Sequence, residues 1–71
     1  MTDWHDLKSG HIERVRYDEG AQELHVKFSE TQNPYIYHGI TPGLYKALRE
    51  APSAGQFLRR VIVPGRKVTR P

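Results

Sequence analysis

The hydrophobic period of this chain changes once, at Thr41-Pro42, and that change sets the order of its elements. Before it, Leu24, Val26 and Phe28 alternate with His25, Lys27 and Ser29, the spacing of a half-buried strand. Residues 11–17 also favour a strand, although Ile12 and Val15 differ in parity. Either a bulge lies between them or the regular strand begins near Glu13. Asp18-Glu19-Gly20-Ala21 reads as a turn, with Gly20 able to take positive φ. After a loop at Glu30-Thr31-Gln32-Asn33-Pro34, residues 35–40 form a third strand. Three such runs with short connections predict an antiparallel meander.

Beyond the change, the spacing is helical. Thr41 is placed as an N-cap with Pro42 at the first helical position, where its missing N–H costs nothing. Leu44, Leu48 and Ala51 share a face flanked by Tyr45 and Ala47, and Pro52 stops the helix. Ser53 and Gln56 have capping-box spacing for a second helix. Phe57, Leu58, Val61 and Ile62 give that helix an apolar stripe, with Arg59 and Arg60 beside it toward water. The order β-β-β-α-α predicts a small α+β fold, both short helices packed on one face of a three-stranded sheet. Residues 1–10 read as a lead-in, residues 11–63 as the domain, and residues 64–71, after Pro64-Gly65, as a mobile basic tail.

At 71 residues the chain makes one domain, burying about 60% of its unfolded surface. It has no cysteine, so no disulfide or thiolate–metal staple supplements the core, which fits a reducing cytoplasm. No apolar run approaches the roughly 20 residues that cross a bilayer, and Met1-Thr2-Asp3-Trp4-His5-Asp6 lacks the basic-then-apolar pattern of an export signal. A soluble cytoplasmic protein with no membrane partner is expected.

Charge is divided along the length. Residues 1–34 carry four cations against seven carboxylates, or −3. Residues 35–71 carry Lys46, Arg49, Arg59, Arg60, Arg66, Lys67 and Arg70 against Glu50 alone, or +6. A basic half of this kind suits a polyanionic partner such as RNA, or the acidic face of another protein.

Four segments in order resemble the KTSC domain, a family named for a segment at the C-terminus of some lysyl-tRNA synthetases and found also as short stand-alone proteins. Leu7-x-Ser9-x-x-Ile12-x-x-Val15-x-Tyr17-Asp18 is similar to its opening strand, and Leu24-x-Val26-x-Phe28 to its second. Tyr35-x-Tyr37 resembles its central signature, and Ala51-x-Ser53-x-Gly55-x-Phe57, followed by Ile62, resembles the junction of its helices. The likeness runs from about Leu7 to Ile62. Where the family usually has a Gly before Tyr-x-Tyr, this loop is lengthened, and Asn33 stands as the candidate for a left-handed residue. The resemblance implies no enzymatic activity, and its synthetase context suggests RNA binding.

Catalytic and metal-binding patterns are missing. His5, His11, His25 and His38 are scattered, with no His-x-x-x-His pair, so no metal or other cofactor is expected and the strand histidines are read as solvated. There is no Gly-x-Ser-x-Gly, no phosphate-binding glycine loop and no paired acids in an apolar setting. Neither an enzyme nor a small-molecule substrate is expected.

Three features remain as binding candidates. Tyr35 and Tyr37 share a strand face and are either stacking platforms for bases or core residues under the helices. Ser53 and Gly55 either hold an anion at a helix start, helped by Arg59, or serve as a cap and a close-packing point. Lys46, Arg49, Arg59, Arg60, Arg66, Lys67 and Arg70 form either a basic strip or a solvated face. Trp4 is a candidate anchor for a protein partner, or a cover for the open end of the core. The expectation is a non-enzymatic module that binds RNA or another polyanion. The alternative is a small regulator that docks on a larger protein machine such as RNA polymerase.

Overall fold

The structure is a computed structural model that describes residues 4–71, apart from the side chain of Lys8. Five strands lie in chain order in one antiparallel sheet: β1 His5–Ser9, β2 Ile12–Asp18, β3 Glu23–Phe28, β4 Tyr35–His38 and β5 Val68–Thr69. Helix α1, Pro42–Glu50, and helix α2, Ala54–Phe57, cover one sheet face, and α2 runs on as a π-helical segment, Leu58–Ile62.

The parity conflict in β2 is resolved by a bulge. Ile12 pairs with Phe28 and Arg14 with Lys27, so one extra residue lies between them. The bulge turns Ile12 to the same side as Val15 and Tyr17, and all three are buried. Cross-strand pairs Val15–Val26, Tyr17–Leu24 and Leu24–Tyr37 continue that apolar face across the sheet. Leu48, Leu58 and Ile62 close over it, and Val15, Leu24, Val26, Ile40, Leu48 and Ile62 are fully buried. Truncating one such side chain to alanine costs about 2–5 kcal/mol.

The sheet has two more strands than the sequence pattern predicts. β1 lies within the segment expected to be a lead-in, whose first three residues fall outside the described ones. Gly10, at φ 60°, lets a tight Gly10-His11 turn bring it back onto β2, and Leu7 packs against the core. β5 lies within the expected mobile tail. Gly65 at φ 73° reverses the chain, the His38 N–H donates to the Lys67 carbonyl at 3.0 Å, and Val68 packs on the core. Both short strands occupy sheet edges whose polar groups would otherwise face water unpaired.

Local details follow the residue chemistry with two exceptions. Thr41 caps α1, its Oγ1 accepting from the Leu44 N–H at 3.2 Å, with Pro42 in the first turn. In the β2–β3 turn, however, Gln22 takes the left-handed conformation at φ 54°, not Gly20. The Asp18 carboxylate instead accepts from the Ala21 N–H at 3.2 Å and organises the turn. Asn33 is likewise not left-handed, so the lengthened β3–β4 loop turns without that device. In the π-helical segment the Val63 N–H donates to the Leu58 carbonyl at 2.9 Å. The widened turn leaves Val61, expected on the apolar stripe, 42% exposed.

Three phenols join the layers. Tyr17 stacks on Tyr45 of α1, ring centroids 4.7 Å apart, and its hydroxyl donates to the buried Ile40 carbonyl at 2.5 Å. Burial raises Tyr17, Tyr37 and Tyr45 above the ordinary phenol value of 10.0. Carboxylates at Glu19 and Asp18 push Tyr17 further up, whereas Arg49 partly offsets the effect at Tyr45. A raised value means the folded state keeps its proton longer. The stability these phenols contribute is complete below pH about 10 and is lost as pH rises through the folded values. Urea midpoints measured from pH 8 upward should therefore fall above pH about 10. Tyr17→Phe should cost about 1 kcal/mol at neutral pH and make the alkaline fall shallower. An unchanged alkaline slope in that variant would refute this account of Tyr17.

Candidate nucleic-acid interface

The helix junction is built on a close approach to β1. Ser53 caps α2, its Oγ accepting from the Gln56 N–H at 3.4 Å. The reciprocal bond from the Gln56 amide is not made among the described residues. The next free donor, the Gly55 N–H, reaches across to Ser9 Oγ at 3.3 Å. A Cβ at Gly55 would stand 3.6 Å from the Ser9 carbonyl oxygen, an ordinary contact, so no steric clash requires glycine here. With Ser53 spent on the cap and Gly55 on Ser9, this helix start is engaged by the protein's own side chains. Of the donors an anion would use at this junction, the Gly55 N–H is taken by Ser9.

That approach leaves a groove of about 590 Å³ between the helical layer and the ends of the strands. Gly10, His11 and Ile12 of the β1–β2 turn form one end, and Ser53, Gly55 and Gln56 rise from α2. Phe28, Tyr35 and Tyr37 form the sheet side, faced by Leu58, Arg59 and Val63. Phe28 and Tyr35 meet edge to face, centroids 5.3 Å apart at 86°. Glu30 and Thr31 complete the lining, the Glu30 carboxylate 2.6 Å from His11 Nδ1 in an exposed pair.

The two tyrosines are thus neither simple core nor open platform. Both face the helices: Tyr37 is 5% exposed, whereas Tyr35 is half-buried at the groove wall. The Tyr37 hydroxyl has no hydrogen-bond partner among the described residues. Tyr35 and the Arg70 guanidinium both act on it electrostatically, the first raising and the second lowering its proton affinity, both below the effect of burial. Val68 of β5, two residues before Arg70, pairs with Tyr37.

Of the residues singled out from sequence, the groove gathers Tyr35, Tyr37, Ser53, Gly55 and Arg59. Arg60 borders a neighbouring shallow depression with Pro52, Phe57 and Val61. Lys46 and Arg49 are exposed on α1. Arg49 lies over the Tyr45 ring at 5.6 Å, with Nη2 3.4 Å from His5 Nε2. Arg66 folds back to donate to the Val61 and Ile62 carbonyls at 2.8 and 3.2 Å, closing the π-helical end. Lys67 and Arg70 flank β5 and are exposed.

Trp4 lies elsewhere. The guanidinium carbons of Arg14 and Arg16 sit 5.0 Å from its ring centroid, on the sheet face away from the helices. It does not cover the end of the core, and its indole is half-buried. The pairing would be legible only to a reader who had placed β1 beside β2. Phe28 and Leu58 are the groove residues that pattern reading assigns to core alone, because alternation reports a face and not how far a helix covers it.

The histidines on the outer sheet face flank one carboxylate. His25 Nε2 lies 3.4 Å from Glu23 Oε1 without hydrogen-bond alignment, and His38 Nδ1 lies 3.6 Å from Glu23 Oε2. His38 Nε2 is 2.7 Å from Thr69 Oγ1. His25 is 8% exposed between Arg16 and Ile36, so the solvated reading fails for it: the central strand is covered by its neighbours. Among the described residues no group of three or more His, Cys, Asp or Glu is placed to hold a metal. No helix among them is long and apolar enough to cross a membrane.

Ser53→Ala removes the cap of α2 and should cost about 1 kcal/mol in urea denaturation. Gly55→Ala should change stability by less, since its Cβ meets only ordinary contacts and alanine favours helix. A larger loss for Gly55→Ala than for Ser53→Ala would overturn this reading of the junction.

The KTSC domain model matches residues 8–65. The fold is similar to the crystal structure of a KTSC domain protein from Yersinia pestis, with a TM-score of 0.87 and 25% sequence identity over 97% of this chain and 96% of that one. No curated protein matches. With matched residues spanning β2 to β4, both helices and the groove between them, the chain belongs to the KTSC domain family.

Proposed function

We propose that this KTSC domain is a non-enzymatic binding module for single-stranded RNA or a similar polyanion, engaged from its helical side. The supporting observation is that Lys46, Arg49, Arg59, Arg60, Arg66, Lys67 and Arg70 pair with no carboxylate among the described residues. The ion pairs there involve His11, His25, Lys27 and His38 with Glu30, Glu23 and Glu13, all on the sheet and its loops. The helical layer carries Lys46, Arg49, Arg59 and Arg60 against Glu50 alone. Unneutralised cations beside an aromatic groove are what a single strand requires: charge for its phosphates and ring faces for its bases. The polar groups of the groove are the phenols of Tyr35 and Tyr37, the Arg59 guanidinium, the Ser53 and Thr31 hydroxyls, the Gln56 amide and the exposed His11–Glu30 pair, groups that can hold a ligand.

Five phosphate contacts to a single strand give a log–log salt slope of about −3.5. Fluorescence anisotropy with a labelled single-stranded RNA should show that slope. Arg59→Gln and Arg60→Gln should each reduce it by about 0.7. Salt-independent binding, or none, would refute the proposal.

A second reading, docking on a larger protein machine such as RNA polymerase, is favoured by the exposure of Val61 at 42%, in the depression beside Arg60, and of Val63 at 37%, on the groove. A stoichiometric protein captured from nuclease-treated lysate, and lost on Val61→Ser, would favour this reading over the first.

A further inference from the structure

The groove holds two features that a general polyanion site does not need. The Tyr37 phenol is nearly buried and lines the groove, yet donates to nothing among the described residues. The hydroxyl keeps access to the groove and is placed to donate to an acceptor on a ligand there. Beside it, the half-buried Tyr35 ring meets Phe28 edge to face, and both rings line a space of about 590 Å³. That volume suits a small planar ligand. Arg59 is exposed at the rim with no carboxylate partner among the described residues, and the charge of Arg70 acts on the Tyr37 hydroxyl. The one carboxylate in the lining, Glu30, is engaged by His11.

An apolar wall, an inward donor and cations nearby are complementary to a planar ring that carries acceptors on its edge and a phosphate at one end. We propose that the groove seats one nucleotide, its base stacked on Tyr35, a base acceptor taking a hydrogen bond from the Tyr37 hydroxyl, and its phosphate at Arg59. The inference deepens the reading of the helical side as a nucleic-acid surface and rests on it, adding the unit that is recognised. A phenol is protonated at neutral pH, and burial raises Tyr37 further above 10.0, so it acts there as a donor. A nucleotide unit can arrive free or within a strand, and the chemistry offered to both is the same.

The test is a titration of the isotope-labelled full chain with uridine monophosphate, adenosine monophosphate, the two nucleosides, inorganic phosphate and a short single-stranded RNA, followed by amide chemical shifts. Nucleotide should move the amides of Gly10, Ile12, Gly55 and Leu58. Tyr37→Phe removes a hydroxyl that bonds to nothing among the described residues, so its thermal midpoint should not drop, yet nucleotide binding should weaken roughly tenfold. Arg59→Gln should weaken nucleotide and leave nucleoside unchanged. The proposal is overturned if nucleotide leaves the groove amides unmoved, if Tyr37→Phe binds like the parent, or if inorganic phosphate alone reproduces the shifts. RNA binding with the expected salt slope but silent groove amides defeats this inference and spares the broader reading. Free nucleotides that fill the groove while RNA fails to bind support the seat and defeat the RNA reading.

Discussion

One buried phenol ties the two layers of this molecule together. Tyr17 leaves the central part of the sheet, donates to the Ile40 carbonyl where the chain passes from β4 to α1, and stacks on Tyr45 of that helix. The Ile40 N–H is held in turn by the Gln22 carbonyl at 2.9 Å. Both polar groups of this buried residue are therefore satisfied where the backbone changes from extended to helical, which is where an orphaned group is most costly. The direction in which α1 leaves the sheet, and hence where the helical layer lies, depends on this joint.

The bulge in β2 has the second structural consequence. Without it Ile12 would point away from Val15 and Tyr17, and the end of the sheet beside Gly10 would lose its apolar side. With it, the β1–β2 turn comes under α2, and Ser9 meets Gly55. The same contact that anchors α2 stops it from covering Phe28, Tyr35 and Tyr37 completely. The groove is the remainder of that incomplete closure. In a chain this small, a pair of short helices cannot cover five strands, so some aromatic surface stays open.

The sheet comes largely from the acidic first half of the sequence and the helices wholly from the basic second half. The carboxylates of Glu13, Glu23 and Glu30 are occupied by Lys27 and histidines on the sheet and its loops. Arg14 and Arg16 hold Trp4 on the far face, and the Arg16 Nε is buried there without a hydrogen bond. Trp4 and its two arginines thus form a small outer layer of their own, away from the groove.

The order of the three inner strands and the two helices, both caps, the stop at Pro52 and the division of charge along the chain were legible in the residues, because each depends on near neighbours or on period alone. Thr41 and Ser53 cap their helices through bonds to residues three positions on. Tertiary structure decided the rest. Edge strands β1 and β5 are too short for a period to mark and exist because β2 and β4 offer unpaired edges. Parity puts Tyr35 and Tyr37 on one side, but only the position of the helices decides that the side is inward, that Tyr37 is buried and that Tyr35 stays half open. Arg59 stands near Phe28, 31 positions earlier, for the same reason: a groove is assembled from segments whose proximity no local pattern encodes.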